Sequence, residues 1–216
     1  MTRKANLFFY RFIRCVLYIA YRVCFRFKHI GSEQVPPESD GRGVILAPNH
    51  SSFLDPPILG ISLQRPVTYL AKEYLFRSFF VGWVLQSIGA FPIKARTDDF
   101  RTIRDLLRIL KEGRCVAVFP EGTRSLDGEL REPESGVGFL AAKSKAWVVP
   151  VYIEGTFEAF PKGKRFFKCH PVKVYYGRSF LPEEEPGIAN SSDPYTAISR
   201  RIMEEIKNLK QGLGRP

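Results

Sequence analysis

The nine residues NHSSFLDPP, at 49–57, place a histidine five positions before an aspartate and end in two prolines. An imidazole beside a carboxylate is the pair that a general base and its orienting group require. On one straight helix, five positions of about 100° would leave His50 and Asp55 roughly 140° apart. Because Pro56 favours an extended residue before it and a helix start after it, a strand, a bend and a helix can bring the two side chains together. The alternative is an Asx-type turn, with Asp55 capping a helix and His50 on the surface.

A second motif, PEGTRS at 120–125, directly follows the apolar run CVAVF. A strand that ends in a glycine-containing turn presents backbone N–H groups at the carboxyl edge of a sheet, where α/β proteins bind ligands. Gly122 permits close approach of the backbone. Thr123 and Ser125 add hydroxyl donors, and Arg124 can bind a phosphate through two parallel hydrogen bonds. The motif therefore predicts a phosphate-binding turn.

Glu121 is the exception in this turn, because a carboxylate repels phosphate. We expect it to accept a hydrogen bond from a substrate hydroxyl or to hold Arg124 in position. The alternative for the whole motif is a surface turn with an internal Glu–Arg ion pair.

The composition indicates a polyanionic partner. Of 216 residues, 33 are basic and 22 acidic, which gives a formal net charge of +11. The 18 phenylalanines favour a lipid surface over nucleic acid. The four cysteines show neither CxxC pairing nor a disulfide-rich pattern, which indicates a reducing compartment, and no Cys/His cluster has metal-ligand spacing. We therefore expect no metal.

The first thirty residues are apolar but regularly interrupted by arginines. Their longest uncharged stretch, Cys15 to Tyr21, has seven residues, whereas a membrane-spanning helix needs about 20. On a helical wheel the cations fall within roughly 120° and apolar residues fill the opposite side. We predict that residues 1–30 are an amphipathic membrane-association segment that lies in the interface. The alternative is a helix packed on its own domain. The cations are Lys4, Arg11, Arg14, Arg22 and Arg26, and the apolar residues are Phe9, Phe12, Ile13, Val16, Ala20, Val23 and Phe27.

Strand and helix patterns alternate through residues 31–216, which we predict to be one domain. This alternation favours an α/β fold with a mixed, largely parallel sheet flanked by helices, preceded by the amphipathic membrane-interface helix. Asp193 and Pro194 have the residue types of an N-cap and a first helical position. The predicted strands are 43–48, 67–71, 90–93, 115–119, 147–153 and 172–177, and the predicted helices are 76–89, 98–113, 136–145 and 193 to about 210.

The two motifs, together with AKEYLF, GAFPIKAR and VVPVYIEGT in the same order, resemble the glycerolipid acyltransferase family over about residues 43–156. The resemblance implies transfer of a fatty acyl group from acyl-CoA or acyl carrier protein to the free hydroxyl of a lysophospholipid. The leading acceptor is 1-acyl-glycerol-3-phosphate, which would give phosphatidic acid. It also implies that His50 and Asp55 are catalytic and that no cofactor is needed beyond the acyl donor.

The same resemblance assigns substrate binding to the second motif and to two further cations. The assigned residues are Glu121, Gly122, Thr123 and Arg124 of the turn, with Lys72 and Arg96. The resemblance implies a lysophospholipid acceptor and the acyl donor as partners, and the composition and the basic helix predict an anionic membrane surface and no nucleic acid. The implied location is the cytoplasmic face of the cell membrane, as a peripheral or monotopic protein.

One departure from the family pattern concerns the acceptor. The sequence PESG, at 133–136, places Glu134 near the position where the family usually carries a lysine. A different lysolipid acceptor, with a diester headgroup or no phosphate, is therefore an alternative. Two other classes remain open: a non-enzymatic protein that binds anionic membranes through its basic helix and KGKRFFK, at 162–168, and a nucleic-acid-binding protein.

Overall fold

The computed structural model describes residues 7–78, 82, 90–93 and 100–213, and a seven-stranded sheet organises this part of the chain. The strand order is β1-β7-β6-β2-β5-β3-β4. Strands β6, β2, β5, β3 and β4 are mutually parallel, whereas β7 pairs with β6 in antiparallel fashion and β1 runs parallel to β7. The predicted mixed, largely parallel sheet is confirmed. The strands are β1 (Lys28–Ile30), β2 (Val44–Pro48), β3 (Val67–Lys72), β4 (Ala90–Ile93), β5 (Cys115–Ala117), β6 (Trp147–Glu154) and β7 (Lys173–Tyr176).

Most helices occur where their sequence signals place them. The side chain of Asp193 accepts a hydrogen bond from the backbone N–H of Thr196 at 3.2 Å, which confirms the predicted N-cap of the closing helix. The predicted helix 76–89 lies outside the described residues except for 76–78 and 82. The helices are α1 (Leu7–Phe25), α2 (Asp55–Ser62), α3 (Phe100–Lys111), α4 (Ser135–Ser144), α5 (Thr156–Ala159), α6 (Pro186–Ala189) and α7 (Pro194–Gly212).

Helices cover both faces of the sheet. Val44 and Leu46 of β2 face a core shared with α1 and α2, whereas Ile45 and Ala47 face a core shared with α3, α4 and α7. Side chains alternate along a strand, so a strand between two helical layers is apolar at every position, as VILAP is. Because β6, β2 and β5 are parallel neighbours, the segments that follow them emerge at one edge of the sheet.

One stripe of α1 packs on the domain. Ile13, Tyr21 and Phe25 are buried in the core formed with α2 and the sheet. Phe27 is also fully buried there, because the helix ends at Phe25 and Arg26 adopts a φ of 46°. The predicted single apolar face was therefore wrong for Ile13 and Phe27, which contact protein. A helical wheel does not apply to Phe27, which lies beyond the helix.

A second stripe of α1 faces solvent. Its four apolar side chains are spaced at helical intervals and form what we call the exposed apolar stripe. Lys4 of the predicted cationic arc lies outside the described residues. No helix in the described ranges is both long and apolar enough to cross a bilayer. The division of the chain at residue 30 stays a prediction. The exposed apolar stripe comprises Phe12, Val16, Ile19 and Val23.

Candidate active site

His50 and Asp55 meet across the bend that follows β2. The His50 Nδ1 atom lies 2.8 Å from Asp55 Oδ2, and Asp55 is fully buried at the start of α2. The same oxygen accepts the backbone N–H groups of Ser51 and Ser52, each at 2.8 Å. The carboxylate thus shapes the bend and binds the imidazole. The alternative of a surface histidine is wrong, because only 17 % of the His50 side chain is exposed.

The imidazole is held from a second direction by Phe119. The two ring centroids are 3.8 Å apart and the ring planes differ by 24°. With Nδ1 bound to a carboxylate and one ring face covered, Nε2 is the nitrogen left to take a proton. The role of Phe119 could not be predicted from the sequence, because its partner is 69 positions away along the chain.

The hydroxyls of Ser51 and Ser52 bond to groups other than His50. Ser51 Oγ lies 3.1 Å from Thr156 Oγ1, and Ser52 Oγ donates to the Phe160 carbonyl at 2.7 Å. Both serines are buried. These contacts tie the bend to the segment after β6 and leave neither serine placed as a nucleophile activated by the imidazole.

Asn49, the residue before His50, fixes the loop to β6. Its side chain donates to the Ile153 carbonyl at 3.1 Å and accepts the Ile153 N–H at 2.7 Å. This paired contact substitutes for a strand pairing at the point where β2 ends. An asparagine between a buried strand and a histidine was the available sequence signal, and it was not assigned a role.

Glu121 faces inward and joins the two motifs. Its Oε1 accepts the His50 backbone N–H at 2.9 Å and its Oε2 accepts the Arg131 backbone N–H at 3.3 Å. Only 3 % of Glu121 is exposed. This burial raises the pKa of Glu121 to about 7, although the two N–H hydrogen bonds act in the opposite direction and lower it. The expectation that Glu121 holds Arg124 was wrong, since its oxygens bind two backbone groups instead.

The remaining polar groups of the turn are partly used by the turn itself. Ser125 donates its backbone N–H to the His50 carbonyl at 2.8 Å, and its hydroxyl donates to Asp127 at 2.8 Å. The expectation that the Ser125 hydroxyl serves a phosphate was therefore wrong. Thr123 is exposed, and Gly122 has a φ of 65°, which favours glycine.

Arg124 carries an unsatisfied cationic group. Its guanidinium carbon lies 3.5 Å from the centroid of the Phe53 ring, a cation–π contact that orients the planar group. The Nη1 atom is buried, and no described residue accepts a hydrogen bond from it. Burial lowers the pKa of Arg124 from its ordinary value. A buried donor without an acceptor is costly, so this nitrogen is suited to an anionic ligand.

An acidic residue lies directly against the turn. A Cβ added to Gly122 would lie 3.1 Å from the Cγ atom of Glu134. The backbone N–H of Glu134 donates to the Pro120 carbonyl at 2.8 Å, which keeps the N-cap of α4 beside the turn. The side chain of the glutamate noted in the sequence thus lies against the turn that is predicted to bind phosphate.

Two further cations, Lys72 and Arg96, were predicted to bind the substrate. Lys72 is the last residue of β3, so it lies at the same sheet edge as the two motifs, and its role stays a prediction. Arg96 lies outside the described residues. In the described ranges, no three His, Cys, Asp or Glu side chains are grouped to hold a metal ion.

Residues 26–154 match the acyltransferase family. The chain belongs to this family. It is 30 % identical over 188 residues to the 1-acyl-sn-glycerol-3-phosphate acyltransferase of Bacillus subtilis, an alignment that covers 86 % of this chain and 89 % of the relative. It is 38 % identical over 137 residues to a chloroplastic 1-acyl-sn-glycerol-3-phosphate acyltransferase of Arabidopsis thaliana, covering 62 % of this chain and 38 % of the plant protein.

A solved structure has the same fold. The crystal structure of the 1-acyl-sn-glycerophosphate acyltransferase of Thermotoga maritima superposes with a TM-score of 0.75. The match covers 96 % of this chain and 82 % of that protein at 24 % sequence identity. At this identity the likeness establishes the shared fold.

Proposed function

We propose that this acyltransferase moves a fatty acyl group from acyl-CoA or acyl carrier protein to the free hydroxyl of 1-acyl-glycerol-3-phosphate, forming phosphatidic acid. The observation that carries the proposal is the contact of the His50–Asp55 pair with a turn that holds an unpartnered arginine nitrogen. A base and an anion site side by side suit an acceptor that carries both a hydroxyl and a phosphate. The name of the Bacillus subtilis relative supports this acceptor.

In the proposed reaction His50 acts as the general base. Its Nε2 takes the acceptor's hydroxyl proton as the oxygen attacks the thioester carbonyl. Asp55 holds the ring tautomer and stabilises the imidazolium. When the tetrahedral intermediate collapses, the carbon–sulfur bond breaks and the imidazolium returns the proton to the departing sulfur. The hydrogen bonds of Ser51 and Ser52 to other groups support direct transfer without an acyl-enzyme.

We propose that Arg124 binds the acceptor's phosphate through its buried edge, with Lys72 and Arg96 as further cations. Stacking on Phe53 removes rotational freedom from the guanidinium, so less entropy is lost when it binds. Gly122 and Thr123 would line the path by which the phosphate approaches the backbone of the turn. Glu121 would act by holding the turn against the catalytic bend.

The position of Glu134 favours a second candidate acceptor. A carboxylate beside Gly122 disfavours a doubly charged phosphate monoester and favours a headgroup that carries a cation. A Pseudomonas aeruginosa relative, 28 % identical over 135 residues, is named lyso-ornithine lipid O-acyltransferase. An amine-bearing lysolipid is therefore the alternative to lysophosphatidate.

A panel of lysolipids with acyl-CoA and acyl carrier protein donors, followed by mass spectrometry of the products, tests both candidates. We expect lysophosphatidate to have the highest kcat/KM. A higher value for an amine-bearing lysolipid, reversed in favour of lysophosphatidate by Glu134→Lys, would establish the alternative acceptor. Absence of any acylated product from the whole panel would contradict both.

We infer that α1 lies on an anionic membrane at its cytoplasmic face. The exposed apolar stripe would enter the acyl region, and the exposed Arg11 and Arg22 of α1 would contact headgroups. Because Tyr21, Phe25 and Phe27 belong to the protein core, deletion of the segment would damage the fold. The better test replaces Phe12 and Val16 with serine and measures flotation with phosphatidylglycerol vesicles. Unchanged flotation would contradict the inference.

A further inference from the structure

The segment between α5 and β7 is strongly basic and contains no acid. Residues 161–168, PKGKRFFK, are here called the basic loop. No aspartate or glutamate occurs from residue 159 to residue 182. None of the loop's cations forms an ion pair with a described residue. The exposed cations of the loop are Lys162, Lys164, Arg165 and Lys168.

The basic loop has a defined conformation. The Lys164 N–H donates to the Pro161 carbonyl at 3.3 Å, and Gly163 has a φ of 92°, as the third residue of a type II turn requires. The Lys168 N–H donates to the Ala159 carbonyl at 2.7 Å and closes the loop. These two hydrogen bonds fix the turn at 161–164 and the point at Lys168 where the chain returns to Ala159.

Two adjacent phenylalanines of the basic loop face solvent. Phe166 is 80 % exposed and Phe167 is 55 % exposed. Large apolar side chains exposed together among cations are typical of a surface that another phase or molecule covers.

The basic loop connects α1 with the active site. On one side, the Phe167 ring contacts the Phe25 ring at the end of α1, with centroids 5.6 Å apart. On the other side, Pro161 forms a β-bridge with Ser52 of the catalytic bend. The loop therefore lies between the C-terminal end of α1 and the bend that carries the candidate base.

We propose that the basic loop is a second membrane contact, which binds anionic headgroups through its cations and inserts Phe166 into the acyl region. This inference rests on the proposed function, because a lipid acceptor must pass from a bilayer to the site beside the loop. Cations that flank aromatic residues, without acids, match an anionic interface in both charge and polarity. The contact of the loop with the end of α1, the first proposed membrane contact, favours a bilayer over a separate partner.

The test measures vesicle binding by the full chain, without substrate. Phe166→Ser should weaken binding to vesicles of phosphatidylglycerol and phosphatidylcholine in equal parts by about tenfold or more, the factor for burying a large apolar side chain. Phe166→Leu should retain binding. Lys162→Glu with Lys164→Glu should weaken it by at least about twentyfold, with a smaller effect on pure phosphatidylcholine.

A matched control reverses two exposed cations on the opposite face of the sheet. Arg200→Glu with Lys207→Glu, both on α7, changes the net charge by the same amount. Equal losses from the two pairs would overturn the proposal by assigning the effect to net charge. Unchanged vesicle binding by the loop variants would also overturn the proposal. If vesicle binding were unchanged and only KM for a protein-borne acyl donor rose, the loop would be a protein-docking surface.

Because these measurements need no turnover, they separate this inference from the proposed function. If the parent protein acylated no lysolipid but Phe166→Ser still lost binding, the membrane contact would stand and the proposed function would fall. A brominated-lipid quenching measurement on Phe166→Trp adds a depth readout. Quenching above that of the parent is expected, and its absence would overturn insertion of residue 166.

Discussion

Replacing the carboxylate of Asp55 with an amide is the sharpest test of the candidate base. Asp55→Asn keeps the side chain's shape, and an amide oxygen can still accept the N–H groups of Ser51 and Ser52, which the carboxylate binds at 2.8 Å. The change removes the negative charge that faces the imidazole. The variant should therefore fold, bind both substrates and fail in the chemical step.

The magnitude follows from the distance between the two groups. With Nδ1 and Oδ2 2.8 Å apart, the charge centres of an imidazolium and the carboxylate lie about 4 Å apart. At an effective dielectric constant of about 20, unit charges at that distance attract by about 4 kcal/mol. The imidazolium exists only while His50 holds the hydroxyl proton. Losing its attraction to the carboxylate therefore destabilises the transition state and not the bound substrates. At about 1.4 kcal/mol per factor of ten, kcat should fall about 10³-fold with little change in KM.

The assay follows thiol release from acyl-CoA with a short-chain, water-soluble lysophosphatidate, so that membrane binding does not limit the rate. Asp193→Asn makes the same chemical change at a helix N-cap remote from the site, where asparagine is an equally good cap, and should be fully active. Circular dichroism and Tm establish that Asp55→Asn is folded. A folded variant that kept more than about a tenth of the parent kcat would refute the assignment of Asp55 as the residue that orients and stabilises the base.

Three further predictions concern the base, the anion site and the buried glutamate. His50→Ala should lower acyl transfer by about 10³-fold or more, measured by mass spectrometry of the product, and a tenth of the parent activity in pure protein would contradict this. Arg124→Lys should raise KM for the acceptor about tenfold, because lysine loses the planar stack on Phe53. A rise in KM for the donor alone would show that Arg124 binds the donor and not the acceptor. Burial raises the pKa of Glu121 from 4.5 to about 7, so the folded protein binds more protons than the unfolded chain between these values and loses stability as pH rises through them. Glu121→Gln should flatten that decline in denaturant titrations at about pH 5 and about pH 8, and an unchanged slope would contradict the assignment.

The elements that sequence predicted well are those whose signals are local. Helix α3 has acids before it, apolar residues at helical spacing and Gly113 after it, and Gly113 adopts a φ of 74° at its end. The bend at His50 could be predicted because two prolines restrict the backbone within a few residues of the histidine. Each such inference depended on residues within one or two turns of chain.

The features that sequence analysis missed depend on residues far apart in the chain. Glu121 binds the backbone of His50, 71 positions away, and a backbone N–H leaves no trace in residue type. Phe119 was assigned to a strand, and its contact with the imidazole follows only from the pairing of β2 with β5. For α1, the hydrophobic pattern indicated which side chains form apolar faces. It did not distinguish the stripe that contacts protein from the stripe that faces outward.

The backbone of His50 explains why the two motifs work as one unit. Its N–H donates to Glu121 at 2.9 Å, and its carbonyl accepts the N–H of Ser125 at 2.8 Å. The PEGTRS turn therefore binds the candidate base on both sides of one residue, and Arg124 lies between the two contact points in the chain. Acyl transfer to a hydroxyl needs reacting atoms placed within about 3–3.5 Å, and a phosphate bound at Arg124 can set that distance only if the turn cannot move relative to His50. A buried carboxylate that accepts two backbone N–H groups supplies this rigidity, which is why a glutamate is useful in a turn whose ligand is an anion.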